Sequence, residues 1–296
     1  MTACKVLITG AGGMLATALE LVLKKQFVVI PLTEKQLDIT DKEMFLKIIN
    51  SIKPNVIINT AANTLADNCE ENRETAMLVN GIAVGYVAQA AKMVQARLIH
   101  ISTDYVFDGV KKSPYTENDK PNPISVYGLS KLKGEQELIR FTDNYLIIRT
   151  QWLFGENGKN FADTIIRLAR QKNILKIVDD QYGCPTYTKD LAIMIKWFIE
   201  NENIKGEVFN FSNEGTVSRY GFAREILKLA GISTKLMPVN TSAYPVLAKR
   251  PHNSALDKAK IKKITNMYVR PWYNALFEYI KMLDTGSPQN SGKIVR

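Results

Sequence analysis

The amino-acid sequence predicts an α/β fold, a doubly wound parallel sheet with a smaller C-terminal lobe. Three observations support this prediction. Short runs rich in β-forming residues alternate with helical patterns through the first half of the 296-residue chain. These runs are apolar on both faces, as expected for parallel strands that helices cover on both sides. A glycine-rich turn follows the first run directly.

Five apolar runs of the first half predict the strands of the sheet. They are Lys5–Thr9, Phe27–Ile30, Asn55–Asn59, Arg97–Ser102 and Tyr145–Arg149. Helical patterns fall between them, and strand–helix alternation with right-handed crossovers produces a doubly wound sheet. One helix has a marked start, because Thr40-Asp41-Lys42-Glu43 has the pattern of a capping box. We expect that helix to run to about Ile52, with Pro54 just beyond its end.

The second half is less regular and predicts a lobe built at the carboxyl edge of the sheet. Its loops are rich in proline and aromatic residues. Helix caps are expected from serine at the start and glycine at the end. The expected elements are strands over Ile174–Val178 and Glu207–Phe211, a helix over Lys189–Glu200, and a helix from the cap Ser218 to Ala230 that stops at Gly231.

Composition excludes several classes of protein. Hydrophobic residues make up 46% and charged residues 23%, so the chain is globular. Three cysteines do not form a disulfide framework, and no apolar run is long enough to span a membrane. The N-terminus enters a strand-like run directly and leaves no room for a signal peptide, so we expect a cytoplasmic protein.

The net charge of +10 favours anionic partners or simply a solvated basic surface. The lysines are scattered, and their densest cluster has no zinc-finger or RNA-binding aromatic motif beside it. We therefore predict neither a nucleic-acid nor a membrane partner. No metal site is predicted, because the two histidines and three cysteines lack the spacing of zinc ligands.

The first strand runs into Gly10-Ala11-Gly12-Gly13-Met14-Leu15, and a helix follows to about Lys25. Small residues allow a tight turn and a close approach of the backbone to a pyrophosphate, and the helix N-terminus offers free N–H groups to it. Because the turn joins the first strand to the first helix, the sequence predicts a dinucleotide site and a Rossmann fold.

We therefore divide the chain into a dinucleotide-binding domain and a substrate-binding lobe. The domain comprises residues 1–149 and 188–212, and the lobe comprises residues 150–187 and 213–284. The polar tail, residues 285–296, is expected to be disordered.

The end of the second strand indicates which dinucleotide is bound. An acid usually stands there and holds the adenosine ribose of NAD, but this strand ends without one. Thr33 and Lys35 can accommodate a 2′-phosphate, which favours NADP(H), with NAD(H) as the alternative. Lys35 is otherwise an exposed loop lysine. Asp38 and Ile39, which follow, are candidates to flank the adenine.

Tyr127 and Lys131 lie four residues apart in a helical pattern, so their side chains share one helix face. A cationic lysine beside a tyrosine stabilises the phenolate and lowers the pKa of the phenol, which can then exchange a proton with a carbonyl or an alcohol. About one tyrosine–lysine pair with this spacing is expected by chance in a chain of this composition. The spacing alone is therefore no evidence for catalysis, and the neighbouring residues must supply it. Thr103 ends the fourth strand, at the sheet edge where ligands bind, and its hydroxyl can bind the same oxygen.

Longer strings extend this pattern over nearly the whole chain. They are INTAANTLADNCEE, ISTDYVFDG, YGLSKLKGE, RTQWLFGENGKNF, QYGCPT and KRPHNSALD. With these residues the chain resembles the extended short-chain dehydrogenase/reductase superfamily and, within it, the dTDP-4-dehydrorhamnose reductase family. The last four strings separate that family from the sugar-nucleotide epimerases, which share the fold and the tyrosine–lysine pair.

The resemblance implies NADPH-dependent reduction of the C4 ketone of dTDP-4-dehydro-L-rhamnose to dTDP-L-rhamnose. Tyr127 is then the proton donor, Lys131 tunes it and binds the nicotinamide ribose, and Thr103 orients the ketone. The resemblance also implies cofactor contacts from Ala61, Ala62 and Asn80. Implied contacts to the sugar and its diphosphate come from Asp104, Tyr105, Trp152, Asn160 and Arg250.

The resemblance leaves other readings open. Asn63 stands where the family commonly has tyrosine, and some members dimerise through a magnesium ion for which no acids can be assigned here. A homodimer is thus one option among several. The alternative functions are another sugar-nucleotide reductase or epimerase of the same fold, and a non-catalytic NADP-binding subunit like the regulatory subunit of methionine adenosyltransferase.

Overall fold

The computed structural model describes residues 3–285, so most of the predicted disordered tail, residues 286–296, lies outside the described residues. The strands are β1 (Lys5–Thr9), β2 (Val28–Leu32), β3 (Val56–Asn59), β4 (Arg97–Thr103), β5 (Tyr145–Thr150), β6 (Leu153–Phe154), β7 (Ile174–Val178), β8 (Tyr182–Gly183), β9 (Thr186–Tyr187), β10 (Glu207–Asn210), β11 (Val217–Ser218) and β12 (Lys235–Val239).

The α-helices alternate with these strands in the first half and lie between the short strand pairs in the second. They are α1 (Met14–Leu23), α2 (Lys42–Ile52), α3 (Ala66–Glu71), α4 (Arg73–Met77), α5 (Ala83–Met93), α6 (Val126–Phe141), α7 (Phe161–Ala169), α8 (Thr188–Glu200), α9 (Arg219–Leu229), α10 (Ala259–Thr265) and α11 (Trp272–Asp284).

The central sheet has six strands in the order β2-β1-β3-β4-β5-β10, and every pairing within it is parallel. The order reverses at β1, which lies between β2 and β3 although it comes first in the chain. In such a doubly wound sheet, ligands bind outside the carboxyl ends of the strands where the order reverses. The predicted fold class is confirmed.

Two hydrophobic cores cover the faces of this sheet. On one face, α1 and α8 pack against each other and bury Leu19 and Phe198. On the other face, α2, α5 and α6 bury Phe45, Val87 and Leu138. Because both faces are covered, the strands are apolar throughout and do not alternate between apolar and polar residues.

A third hydrophobic cluster lies in the second half of the chain. It joins α7, α9 and α11 around Phe154, Phe222 and Tyr279, beside the parallel pair β7–β12. This separate core supports the proposed substrate-binding lobe. One segment packs differently, because Ile261 of α10 belongs to the core of the central sheet. The division into domain and lobe stays a prediction.

The predicted elements are present, and several of their ends differ from the prediction by one or two residues. The cap of α2 is Asp41, whose carboxylate accepts a hydrogen bond from the Met44 backbone at 3.0 Å. Thr40 was the expected cap, but its hydroxyl donates to Asp38 at 2.8 Å and is no longer free. The second strand runs on through Pro31, which is tolerated because β2 is an edge strand. Ser218 caps α9 as predicted, accepting a hydrogen bond from Gly221.

Among residues 3–285, no helix is both long and apolar enough to cross a membrane.

Candidate active site

A cavity of about 790 Å³ opens at the carboxyl ends of the central strands. It runs from the glycine-rich turn, past the ends of β3 and β4, to the loop after β5 and the start of α9. Most predicted site residues line it, and they are Gly10, Gly13, Met14, Leu15, Asp38, Ile39, Ala61, Ala62, Thr103, Asp104, Tyr105, Tyr127, Lys131 and Trp152. Gly12, Lys35, Asn80, Asn160 and Arg250 are not part of its lining.

The glycine-rich turn has the geometry that a dinucleotide needs. Gly10 and Gly12 have φ values of +72° and +87°, which side chains rarely adopt. A Cβ at Gly10 would lie 2.9 Å from the backbone of Ala61, so glycine lets the turn approach the end of β3. A Cβ at Gly12 would meet no described residue within 4 Å, so its side of the turn is open.

Helix α1 begins at this opening. Its cap residue is Gly13, and no side chain among the described residues caps the first turn. No acidic residue lies in that turn, so the backbone N–H groups and the positive end of the helix dipole are available to an anion. The turn and the helix therefore fit the diphosphate of a dinucleotide.

The end of the cavity beside the segment after β2 differs from what the sequence suggests. Glu34 lines the cavity and Lys35 does not. Asp38 also lines it, and its carboxylate accepts hydrogen bonds from the backbone and hydroxyl of Thr40, both at 2.8 Å. The position of Lys35 thus gives no support to a contact with a 2′-phosphate. Two acids, not a lysine, face this end of the cavity.

Helix α6 places the predicted catalytic residues. Ser125 caps it by accepting a hydrogen bond from Gly128, and the ring of Tyr127 packs edge-on against Tyr105 with centroids 5.4 Å apart. A Cβ at Gly128 would lie 2.1 Å from the carbonyl oxygen of Tyr105, so only glycine allows α6 to approach the end of β4 this closely. That approach brings Tyr127 beside Thr103.

Burial dominates the protonation of these groups. It raises the pKa of Tyr127 well above its ordinary value, and a hydrogen bond with Thr103 opposes the shift. Burial lowers the pKa of Lys131 to about 8, while the charge of Glu135 raises it. We expected Lys131 to lower the pKa of Tyr127, but the net shift is upward because burial disfavours the charged phenolate. The phenol is therefore protonated at neutral pH, as a proton donor must be.

A chain of buried polar side chains crosses the sheet to Lys131. The Thr9 hydroxyl donates to Asn59 at 2.7 Å, and Asn59 Nδ2 lies 3.2 Å from His100 Nδ1. His100 Nε2 lies 3.3 Å from Lys131 Nζ, which also donates to the carbonyl of Ile101 at 2.6 Å. Burial and the charge of Lys131 hold the pKa of His100 well below its ordinary value, so the imidazole is neutral. The chain fixes the ammonium group from behind the cavity.

The opposite end of the cavity is built by the loop after β5. Trp152 has φ +45°, a rare conformation for a bulky residue and one associated with functional sites. Its indole leaves no space at Gly183, where a Cβ would lie 2.7 Å from the ring. Burial raises the pKa of the Asp104 carboxyl to about 6.

Unpartnered polar atoms are concentrated at this end. Within the described chain, Asp104 Oδ2, Thr150 Oγ1 and Gln151 Nε2 are buried without a hydrogen-bond partner, and all three residues line the cavity. The orientation of Gln151 is fixed, because its Oε1 accepts from the Cys184 backbone at 3.0 Å. One acceptor, one hydroxyl and one donor are thus left for a ligand rich in hydroxyl groups.

Three predicted site residues have hydrogen-bond partners within the protein. Asn80 is buried and exchanges hydrogen bonds of 2.8 and 2.9 Å with the backbone of Asn63, so it holds a cavity-lining loop from behind. Asn160 is the cap of α7, and its amide donates to Gly155 and Tyr279. A helix cap and a ligand-binding asparagine are indistinguishable in the sequence alone.

Arg250 also has partners within the protein. Its guanidinium pairs with Asp67 at 2.7 Å and donates to the carbonyl of Ala248 at 3.2 Å. The second oxygen of the Asp67 carboxylate accepts from the Ala248 backbone at 2.9 Å. These bonds tie the loop before α10 to α3. For Arg250 to reach a ligand, its pair with Asp67 must open.

No metal centre is apparent in residues 3–285, where no three histidine, cysteine or acidic side chains lie close enough together to hold an ion. A Rossmann domain whose glycine turn shares one cavity with Thr103, Tyr127 and Lys131 defines a dinucleotide-dependent oxidoreductase of the short-chain dehydrogenase/reductase class.

Comparisons with known proteins give the particular family. Residues 4–285 match the RmlD substrate binding domain family. A dTDP-4-dehydrorhamnose reductase of Aggregatibacter actinomycetemcomitans is 42% identical over 92% of this chain and 97% of its own length. The chain belongs to the dTDP-4-dehydrorhamnose reductase family.

Solved structures agree with this membership. The crystal structure of a dTDP-4-dehydrorhamnose reductase from Clostridium acetobutylicum has 42% identity and a TM-score of 0.91, covering 95% of this chain and 99% of that one. The Bacillus anthracis reductase, solved in complex with NADP, has 34% identity and a TM-score of 0.92, covering 95% and 100%.

Proposed function

We propose that this protein reduces the C4 ketone of dTDP-4-dehydro-L-rhamnose to dTDP-L-rhamnose with NADPH, a reaction of nucleotide-sugar and cell-surface polysaccharide biosynthesis. One observation carries the proposal. A single cavity joins the glycine turn that suits a dinucleotide to Thr103, Tyr127 and Lys131, which suit the reduction of a carbonyl. The named relatives over nearly the full chain are dTDP-4-dehydrorhamnose reductases.

Each of the three catalytic residues has a different role in the reaction. Bound NADPH supplies the hydride that reduces the ketone carbon. The ketone oxygen gains its proton from the Tyr127 hydroxyl, which burial keeps protonated. The Thr103 hydroxyl orients that oxygen. The Lys131 ammonium, which contacts His100 and donates to Ile101, would bind the cofactor ribose and stabilise the phenolate left after transfer.

The turn at Gly10-Ala11-Gly12-Gly13 and the start of α1 hold the cofactor diphosphate, and Ala61 and Ala62 form the wall beside it. Asp38 and Ile39 flank the adenine. Asp104, Tyr105 and Trp152 surround the sugar, whose hydroxyl groups suit the unpartnered atoms of Asp104, Thr150 and Gln151. We retain NADPH over NADH as the reductant, although Lys35 lies away from the cavity and Glu34 lines it.

The direct test is product analysis after incubation of the purified protein with dTDP-4-dehydrorhamnose and NADPH. We expect NADPH consumption and one product that co-elutes with dTDP-L-rhamnose. A protein purified with bound NAD that consumes no NADPH would instead be an epimerase. Lack of turnover combined with co-purification of a methionine adenosyltransferase would indicate a regulatory subunit. Either result would refute the proposal.

We also infer that the enzyme is cytoplasmic. Its cysteines, Cys4, Cys69 and Cys184, are all free thiols, as is usual where glutathione keeps proteins reduced. The homodimer suggested by the family stays a proposal, and light scattering on the purified protein would test it.

A further inference from the structure

Arg219 is a cavity-lining cation with no assigned role. It is the first residue of α9, directly after the cap Ser218, and its side chain is partly buried. Its Cζ atom lies 3.5 Å from the centroid of the Trp152 ring and 5.2 Å from that of Phe161. At 3.5 Å the guanidinium can only lie over the face of the indole.

A stacked guanidinium keeps its hydrogen-bond donors free. Its N–H groups point outward in its own plane, and the aromatic face beneath it fixes that plane. Within residues 3–285, no acceptor forms a hydrogen bond or an ion pair with the guanidinium of Arg219. Burial lowers the pKa of Arg219 to about 10, so the group is still charged at neutral pH. The stack therefore presents an oriented cation with unused donors to the cavity.

The other cations near the cavity are already engaged. Among the described residues, only Lys131 and Arg219 contribute positive side chains to the cavity lining. Lys131 donates to Ile101 and contacts His100. Arg250 is paired with Asp67 and lies outside the lining. A ligand that brings a diphosphate into this cavity in addition to that of the dinucleotide therefore meets one unengaged guanidinium.

The position of Arg219 suits the phosphate that is joined to the sugar. Its guanidinium lies on Trp152 and shares the cavity lining with Asp104 and Tyr105, the other residues assigned to the sugar. In a hexose ring, the carbon that carries the phosphate lies opposite the C4 ketone. A phosphate at Arg219 would thus leave the ketone at the opposite end of the sugar, within the cavity that Thr103 and Tyr127 also line.

We propose that Arg219, held flat on Trp152, binds the diphosphate of the sugar nucleotide and so selects a nucleotide-linked sugar over a free one. This inference rests on the proposed function for the identity of the ligand. It does not depend on turnover, because diphosphate binding can be measured without reaction.

The test compares the binding of dTDP and thymidine to the wild-type protein and to Arg219→Met, by calorimetry in the presence of NADP. Methionine keeps an apolar contact with the indole and removes the charge and the donors. Charged hydrogen bonds contribute about 1.5–3 kcal/mol, so the dTDP dissociation constant should rise about ten- to a hundredfold. Thymidine has no phosphate, and its affinity should be unchanged. Arg219→Lys keeps the charge but loses the planar fork of donors. Its dissociation constant for dTDP should lie between those of the wild-type protein and Arg219→Met.

Two results would overturn the inference. One is unchanged dTDP affinity in Arg219→Met. The other is an equal loss of dTDP and thymidine affinity, which would mean that Arg219 only supports Trp152. NADP affinity serves as the folding control, and Arg219→Lys replaces the methionine variant if that control fails. If the wild-type protein binds dTDP through Arg219 but reduces no sugar, the proposed function fails and the diphosphate site stands.

Discussion

The two ends of the cavity are built in different ways. The cofactor end is formed where regular elements begin and stop, at the turn between β1 and α1 and the ends of β3 and β4. The substrate end is formed by a loop residue in a rare conformation, Trp152, and by Arg219 from a helix far along the chain. Periodicity and capping place the first set of residues. Only tertiary packing places the second.

This difference explains which site residues the sequence could predict. Tyr127 and Lys131 share a helix face because of their spacing, and Thr103 ends a strand, so their meeting follows from the fold class. No local pattern in the sequence indicates that Arg219 lies in the site. It reaches Trp152 because β11 pairs with β8, whose glycine packs against the indole. That pairing joins two-residue strands, which have no periodicity to detect.

For Asn160 and Arg250 the structure shows partners that the sequence does not indicate, and their predicted substrate contacts stay predictions. The family resemblance implies substrate contacts, yet Asn160 caps α7 and Arg250 pairs with Asp67. Both have partners from distant segments that no local pattern reveals. In contrast, the sequence itself indicates the chain of polar side chains behind Lys131. Thr9, Asn59 and His100 are polar residues within otherwise apolar strand runs, at positions that pair across the sheet.

The largest expected effect lies where the two ends meet. Tyr127→Phe should lower kcat by at least about a hundredfold, because it removes the proton donor and keeps the ring. NADPH affinity should be unchanged by fluorescence titration. The matched control is Tyr105→Phe, which removes a hydroxyl from the adjacent ring. If the two variants were equally impaired, Tyr127 would not be the specific donor.

The second prediction isolates the cofactor end. Gly12→Ala puts a methyl group into the open side of the turn at φ +87°, and overpacking of about 1–3 kcal/mol should weaken NADPH binding about ten- to a hundredfold. The control is Gly206→Ala, at φ +71° in the turn before β10, which lies at the amino edge of the sheet and not at the carboxyl edge. Both variants should lose about 1–2 kcal/mol of unfolding free energy. Equal NADPH affinity in the two variants would mean that strain, not the cofactor, requires glycine at position 12.

The third prediction concerns pH. The pKa of Lys131 is lowered to about 8, so the ammonium loses its proton as the pH rises through that value. We expect kcat/KM for the ketone to be flat below pH 8 and to fall about tenfold per pH unit above it. Glu135 raises that pKa, so Glu135→Gln should move the fall to lower pH. A profile that stays flat to pH 10 in the wild-type protein would exclude a required Lys131 cation.

The smallest effect is expected at the substrate end, from Arg250. Its pair with Asp67 is partly exposed, and such pairs contribute about 0–1 kcal/mol. Arg250→Ala should therefore raise the KM for the sugar nucleotide by no more than about threefold and lower the melting temperature slightly. A KM increase of ten- to a hundredfold, with NADPH affinity retained, would instead mean that the pair opens and Arg250 joins Arg219 on the diphosphate.

The polar chain from Thr9 to Lys131 has a consequence for folding. Its members come from three parallel strands and a helix, and the contact exists only in one alignment of β1, β3 and β4. A shift of β3 by one residue would put an isoleucine or a threonine in the place of Asn59 and remove the amide that contacts the buried His100. Misaligned sheets are therefore disfavoured by a buried contact that stands directly behind Lys131, so the correct strand alignment and the assembly of this site depend on each other.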